Sequence, residues 1–305
     1  MPLKLIFDTD PGIDDAIAIW LALAAPELDV RGLSVVFGNG HALACAENAQ
    51  RILDAAGKSG IPVHVGADQP LQRSYARAGW GVHGADGLGG IGLPQPSRQP
   101  DGTDAVAWLA KTLTEAAPGS ITLAPIGPLT NIARLLQEHP AARQGIREMI
   151  VMGGAAAANG GNATPHAEYN FWLDPHAADI VCLSGVPMTL VTIETARPVS
   201  ATPARIQRIE AAGTRIAKAV AALLRAYVHE SKADALFDPL VVAYLLQPDL
   251  FGKTHAHFRV VTGDNPELGR LLVEPCATQT DHILLQTPDP DTIFELLGQH
   301  FLNLP

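Results

Sequence analysis

The stretch from Phe7 to Ala16, Phe-Asp-Thr-Asp-Pro-Gly-Ile-Asp-Asp-Ala, constrains this chain more than any other. It places Asp8, Asp10, Asp14 and Asp15 directly after an apolar run, Leu3, Leu5, Ile6 and Phe7, that reads as a short buried strand. Pro11-Gly12 marks a sharp turn. Asp14 or Asp15 can then cap a helix through Ile17, Ile19, Leu21 and Leu23. The acids therefore gather where a strand ends and a helix begins. Helix capping and a solvated turn account for one or two of them, not for all. Crowded carboxylates suppress one another's ionisation unless a cation neutralises them. A hard divalent ion with oxygen ligands, Ca2+ or Mg2+, is the simplest remedy.

The rest of the chain supplies a scaffold for such a turn. Apolar strand-like runs at Leu33–Phe37, Pro62–Val65, Ile121–Ala124, Met149–Met152 and Met188–Ile193 alternate with helical patterns at Ala42–Ala56, Asp104–Ala116, Leu129–Glu138 and Asp174–Leu183. Continuous apolar strands separated by helices predict a mostly parallel sheet covered on both faces. After Ala201 the pattern is more helical, with strand-like Phe258–Thr262 and Leu271–Glu274 and a terminal helix near Thr292–His300. Two segments, Gln69–Thr103 and Ala155–Glu168, read as long loops, and loops of that length usually bind something or are disordered.

A chain of 305 residues suits one large α/β domain or two smaller ones. The formal net charge of −10 argues against a nucleic-acid or anionic-membrane surface. Cys45, Cys182 and Cys276 are far apart, sit among apolar neighbours, and read as inert thiols. No apolar run reaches transmembrane length, and the first residues enter a strand directly, so the expected location is cytoplasmic.

In a parallel α/β sheet, ligands bind outside the carboxyl ends of the strands. Reading only strand ends gives Asp8, Asp10, Asp14 and Asp15; Asn39; Ile126, Gly127 and Asn131; Met152 with Asn162, Glu168 and Asn170; and Glu194 with Thr195. This acid- and amide-rich set has few cations. It suits a hard metal and a polyhydroxylated ligand such as a sugar, and it suits a bare phosphate poorly. No Gly-rich phosphate loop follows the first strand. Asp238 precedes Pro239 at the start of an apolar helix, where it fits the cap. His83 lies between Val82 and Gly84 in the first long loop.

Taken in order, these blocks resemble the inosine-uridine-preferring nucleoside hydrolase family. The resemblance is carried by Asp8-Thr9-Asp10-Pro11-Gly12-Ile13-Asp14-Asp15-Ala16, Gly38-Asn39, Ile126-Gly127-Pro128-Leu129-Thr130-Asn131, Met152-Gly153-Gly154, Gly161-Asn162-Ala163-Thr164, Ala167-Glu168-Tyr169-Asn170 and Asp174-Pro175. It implies a doubly wound α/β fold, with a mostly parallel sheet, helices on both faces and an added helical region. The whole chain, 1–305, is then one nucleoside hydrolase-like domain. It implies Ca2+ held by Asp10, Asp15, Asp238 and the main-chain carbonyl of Ile126, and ribose held by Asp14, Asn39, Asn162, Glu168 and Asn170 with Met152 lining the site. It further implies hydrolysis of the N-glycosidic bond of ribonucleosides to ribose and free base, through an oxocarbenium-like transition state with Asp10 activating a metal-bound water. A homodimer or homotetramer acting in purine or pyrimidine salvage is the implied assembly and role.

The sequence departs from the family pattern at the leaving group. Many members carry a His immediately before the last Asp ligand, where it helps protonate the departing base; here that residue is Phe237. Phe237 can stack on a base instead, together with Trp80 or Trp172. His83 is then the remaining proton donor, with Tyr227 a further candidate near the base. The His that usually follows the Thr of the Thr195 region is Ala196 here. Competing readings are a ribose- or nucleoside-binding protein with impaired catalysis, a hydrolase of another N-ribosyl compound, and a metal phosphohydrolase with an Asp-x-Asp nucleophile. The last lacks a persuasive Lys and phosphate-binding Ser or Thr.

Overall fold

The computed structural model describes residues 1–305 apart from 75–80, 232–233 and 279. In chain order the elements are β1 (Leu3–Thr9), α1 (Ile13–Ala24), β2 (Leu28–Val35), α2 (Ala42–Ala55), β3 (Val63–Val65), α3 (Ala105–Glu115), β4 (Ile121–Pro125), α4 (Thr130–Glu138), β5 (Ile146–Met152), α5 (Tyr169–Leu173), α6 (Pro175–Cys182) and β6 (Met188–Val191). They continue as α7 (Ile193–Ala196), α8 (Pro203–Glu210), α9 (Arg215–Ser231), α10 (Pro239–Leu246), β7 (Lys253–Val260), β8 (Leu271–Pro275), β9 (His282–Leu285) and α11 (Pro290–His300).

Among the described residues the strands form one sheet in the order β3-β2-β1-β4-β5-β6-β9-β7-β8. Pairing is parallel from β3 through β9, and β7 and β8 close the edge antiparallel. The chain winds outward from β1 through β2 to β3, then restarts on the other side of β1 with β4. This reversal opens a crevice beyond the carboxyl ends of β1 and β4, where ligands bind in open α/β sheets.

Side chains alternate between the two faces, as the pleat requires. Leu5, Phe7, Ile150 and Met152 enter a core built with α1, α2 and α8–α11 that runs on to Leu304. Ile6, Met149 and Val151 enter a second core with α3, α4 and α6. Trp20, fully buried in α1, donates its Nε1 hydrogen to the Ile52 carbonyl of α2 at 2.9 Å and fixes those helices together. The doubly wound sheet with its added helices is the expected architecture. No helix among the described residues is long and apolar enough to cross a membrane.

Some boundaries differ from expectation. β2 begins at Leu28, because that residue already pairs with Leu3 of β1. β6 ends at Val191, because Ile193 starts the short helix α7. β7 begins at Lys253, where it pairs with Leu285 of β9. β9 itself is an additional strand that sequence reading did not anticipate.

Candidate active site

The acid-rich turn is held by one carboxylate. Asp15 accepts hydrogen bonds from Thr9 Oγ1 at 2.5 Å, the Asp10 N–H at 3.3 Å, the Gly12 N–H at 2.9 Å and Asn39 Nδ2 at 3.2 Å. The cap of α1 is therefore Gly12, and Asp15, at the third helical position, reaches back to it. Neither Asp14 nor Asp15 occupies the cap position expected from sequence. The Asp10 carboxylate is wedged between two glycines. It accepts the Asn39 N–H at 2.6 Å, and a Cβ at Gly38 or Gly127 would lie 2.1 or 2.6 Å from its oxygens. Only glycine allows that approach.

Asp238 stands at the N-cap position of α10, just before Pro239, yet makes no side-chain cap bond. Its carboxylate instead lies with those of Asp14 and Asp15, one oxygen of each within 4.8 Å of the others. Capping, which the Asp-Pro sequence fits equally well, is thus not its role. Asp10, read with Asp15 and Asp238 as a metal ligand, adjoins this group through its N–H bond to Asp15, and Asp14 takes the third place in the tight cluster.

Burial pushes the carboxyls of Asp14 and Asp15 up to about 6, and the neighbouring Asp14 charge adds to the effect on Asp15. Asp238 is raised well above the carboxylate range by burial and then by the charges of Asp14, Asp15, Asp10 and Glu168. Asp14 Oδ1 is buried with no hydrogen-bond partner among the described residues. Clustered, buried carboxylates with unspent acceptor capacity fit a hard cation that takes six to eight oxygens. The Ile126 carbonyl, at the end of β4, accepts Asn170 Nδ2 at 2.9 Å and keeps its second lone pair.

Above the turn lies a cavity of ≈ 380 Å3, within the range of small-molecule sites. One part of its lining is polar: Asp14, Asn39, Asn162, Glu168, Asn170 and Asp238. The other is aromatic and apolar: Val82, His83, Met152, Tyr169, Tyr227 and Phe237. Every ribose residue expected from sequence lines this cavity. Glu168 caps α5, accepting the N–H groups of Asn170 at 2.9 Å and Phe171 at 3.2 Å, and it also takes the Gly154 N–H at 3.0 Å. Burial outweighs these bonds and lifts its carboxyl to about 7.

His83 is buried and stacked on Tyr227, with ring centroids 6.0 Å apart. Its Nδ1 accepts the Ile13 N–H at 3.1 Å. The 3.9 Å approach of the same nitrogen to Asp14 is therefore not an ion pair, because that nitrogen is already the acceptor of a backbone hydrogen.

Other expectations divide. Asp8 and Asn131 lie beneath the site. Asp8 accepts Ser34 Oγ at 2.6 Å and Asn131 Nδ2 at 2.9 Å, and burial raises its carboxyl to about 7. Asp174 caps α6 as expected, and its other oxygen takes the Leu71 N–H and Thr130 Oγ1, which ties down the base of the first long loop. Thr195 bonds to the Leu285 carbonyl at 2.6 Å, and Ala196 is fully buried, so neither faces the cavity. Trp172 is not in the lining; it stacks on Tyr169 and carries Arg73 over its ring. Trp80 lies outside the described residues. Sequence reading missed Val82 and Tyr169. Tyr169 donates to the Gly38 carbonyl at 3.2 Å, and its place between Glu168 and Asn170 was the available signal.

The sequence pattern of the inosine-uridine preferring nucleoside hydrolases matches residues 5–292. The pyrimidine-specific ribonucleoside hydrolase RihA of Photobacterium profundum is 40% identical over 311 residues, covering 100% of this chain and 97% of that one. A solved plant nucleoside hydrolase, PpNRh1, superposes with a TM-score of 0.90 at 32% identity, covering 99% of both chains. A purine-preferring ribonucleoside hydrolase from Gardnerella vaginalis superposes with a TM-score of 0.89 at 25% identity, covering 98% of both. Matched in sequence and in fold, this chain is an enzyme of the N-glycosidase class and belongs to the inosine-uridine preferring nucleoside hydrolase family.

Proposed function

We propose that the protein catalyses Ca2+-dependent hydrolysis of the N-glycosidic bond of ribonucleosides, with pyrimidine ribonucleosides as its preferred substrates. The observation that carries the reading is the meeting of the clustered carboxylates Asp14, Asp15 and Asp238, the last two buried, with the amides Asn39, Asn162 and Asn170 at one cavity. The pyrimidine preference rests on the 40%-identical RihA relative.

Asp10, Asp15, Asp238 and the Ile126 carbonyl would hold the Ca2+, which supplies a hard positive centre for vicinal hydroxyls and for acidifying water. Asp14, Asn39, Asn162, Glu168 and Asn170 bind and orient the ribose, with Met152 beside it. As the bond from C1′ to the base nitrogen breaks, its electron pair leaves with the base and positive charge builds on the sugar. The surrounding carboxylates and amide oxygens stabilise that charge. Asp10 takes a proton from the water whose oxygen attacks C1′. His83 gives a proton to the departing base, and Phe237 and Tyr227 pack against its ring. The products are ribose and free base.

We further read residues 1–305 as one domain, acting as a homodimer or homotetramer in the cytoplasm on a small-molecule nucleoside, with neither nucleic acid nor membrane as partner. Reducing-sugar release from uridine, cytidine, inosine, adenosine and guanosine, with and without a chelator, tests the activity. Release from uridine and cytidine that stops on chelation and returns with Ca2+ is expected. Release that survives chelation overturns the calcium reading, and a purine bias overturns the substrate preference.

A further inference from the structure

Helix α7 contributes nothing to the described cavity lining, yet it grips the loop that does. Its Ile193 N–H donates to the Gly154 carbonyl at 3.1 Å. One Glu194 oxygen accepts the consecutive N–H groups of Ala156 at 3.1 Å and Ala157 at 2.9 Å. Arg197, at the end of the helix, donates to the Gly160 carbonyl at 2.7 Å. Gly160 sits so close that a Cβ there would lie 2.7 Å from the same Glu194 oxygen. The second Glu194 oxygen is buried with no partner among the described residues. Helix α7 is in turn anchored to β9 through Thr195 Oγ1 and the Leu285 carbonyl, 2.6 Å apart.

The gripped segment, Ala155-Ala156-Ala157-Ala158-Asn159-Gly160-Gly161, has almost no side chains with which to hold itself. Ordering it costs backbone entropy that must be offset by contacts from elsewhere. A carboxylate on successive backbone N–H groups is a strong, charge-assisted way to do so. The next residue is Asn162, which lines the cavity.

We propose that Glu194 is a positioning residue: through the Ala156 and Ala157 N–H groups it holds the loop so that Asn162 meets the substrate. The proposal rests on the reading of Asn162 as a ribose contact. In the Ca2+-loaded enzyme with uridine, Glu194→Ala raises KM about tenfold, the size of one lost charged hydrogen bond, with kcat within about twofold. Glu194→Gln keeps an acceptor oxygen and restores KM to within about threefold of the parent. Asn162→Ala raises KM similarly, and adding Glu194→Ala to it costs little more, because both act through one contact. Should Glu194→Ala fail to fold, Arg197→Met tests the same grip at Gly160 and is expected to raise KM. A raised KM in Asn162→Ala but not in Glu194→Ala overturns the role of Glu194 alone. Equal damage from Gln and Ala at 194 also overturns it. An unchanged KM in Asn162→Ala overturns the ribose reading of Asn162, and the proposal with it.

Discussion

The two parts of the cavity lining are supported differently. Within the polar part, Asp15, Glu168 and Asn170 sit at helix starts and are locked by hydrogen bonds to the backbone. Asp15 satisfies two N–H groups, a hydroxyl and an amide, and Glu168 satisfies three N–H groups. The aromatic part, His83, Tyr227 and Phe237, comes from a short turn at Gly81–His83, from α9 and from the residue before Asp238, where ring stacking and packing dominate. On the proposed mechanism, the groups that meet a developing charge are those placed by the sheet, where small errors are costly. The groups proposed to face the leaving base sit on attachments that can vary without disturbing the sheet. The matched relatives fit this division: a pyrimidine-specific hydrolase matches this chain in sequence and a purine-preferring one in fold.

That contrast breaks most readily at Asp10. Asp10→Asn keeps the shape and the acceptor for the Asn39 N–H but removes the base, and kcat should fall by about 10²–10⁴-fold with all nucleosides alike. A loss confined to one base would deny that Asp10 serves the common sugar chemistry. His83→Ala should cost about 10² in kcat on uridine and far less on 4-nitrophenyl riboside, whose phenolate leaves without a proton. Equal losses on both would move His83 from the base to the sugar.

The carboxylate part also has a pH signature. Asp14 and Asp15 are raised from 3.8 to about 6 and Glu168 from 4.5 to about 7, so the metal-free folded state holds these protons more tightly than the unfolded chain. The stability they contribute is complete below pH 4 and is lost as pH rises through 6 to 7. Differential scanning calorimetry of the metal-free protein should show a lower midpoint at pH 8 than at pH 5, and saturating Ca2+ should shrink or reverse that drop. An identical pH slope with and without Ca2+ would separate these acids from the cation. The smallest effect belongs to Phe237→Leu: losing an aromatic contact worth about 0.5–1.5 kcal/mol should raise KM a few-fold. A change in the Ca2+ dissociation constant in that variant would argue that the two parts of the lining are not independent.

The sheet and the polar lining were legible because their signals are local. Apolar runs alternate with helical periods, and acids and amides punctuate the strand ends. What was illegible depended on partners distant in sequence. β9 is four residues long and becomes a strand through β6 on one side and β7 on the other. Asp238 has the sequence of a helix cap, and only its approach to Asp14 and Asp15 shows that its carboxylate is used elsewhere. Asp15 shows the same limit in reverse: it satisfies the start of α1, but from inside the helix, with Gly12 as the cap. Trp172 was read toward the base from its aromatic character, whereas its stacking on Tyr169 and Arg73 takes it out of the lining.

The bond from the Ile13 N–H to His83 Nδ1 has a consequence for how this imidazole works. A ring nitrogen that accepts a backbone hydrogen cannot carry its own, so the neutral ring must bear its hydrogen on Nε2. One helix terminus thereby fixes the tautomer of a residue 70 positions away in sequence. To give a proton to a departing base, the ring must first take a hydrogen on Nδ1 as well and so release the Ile13 N–H.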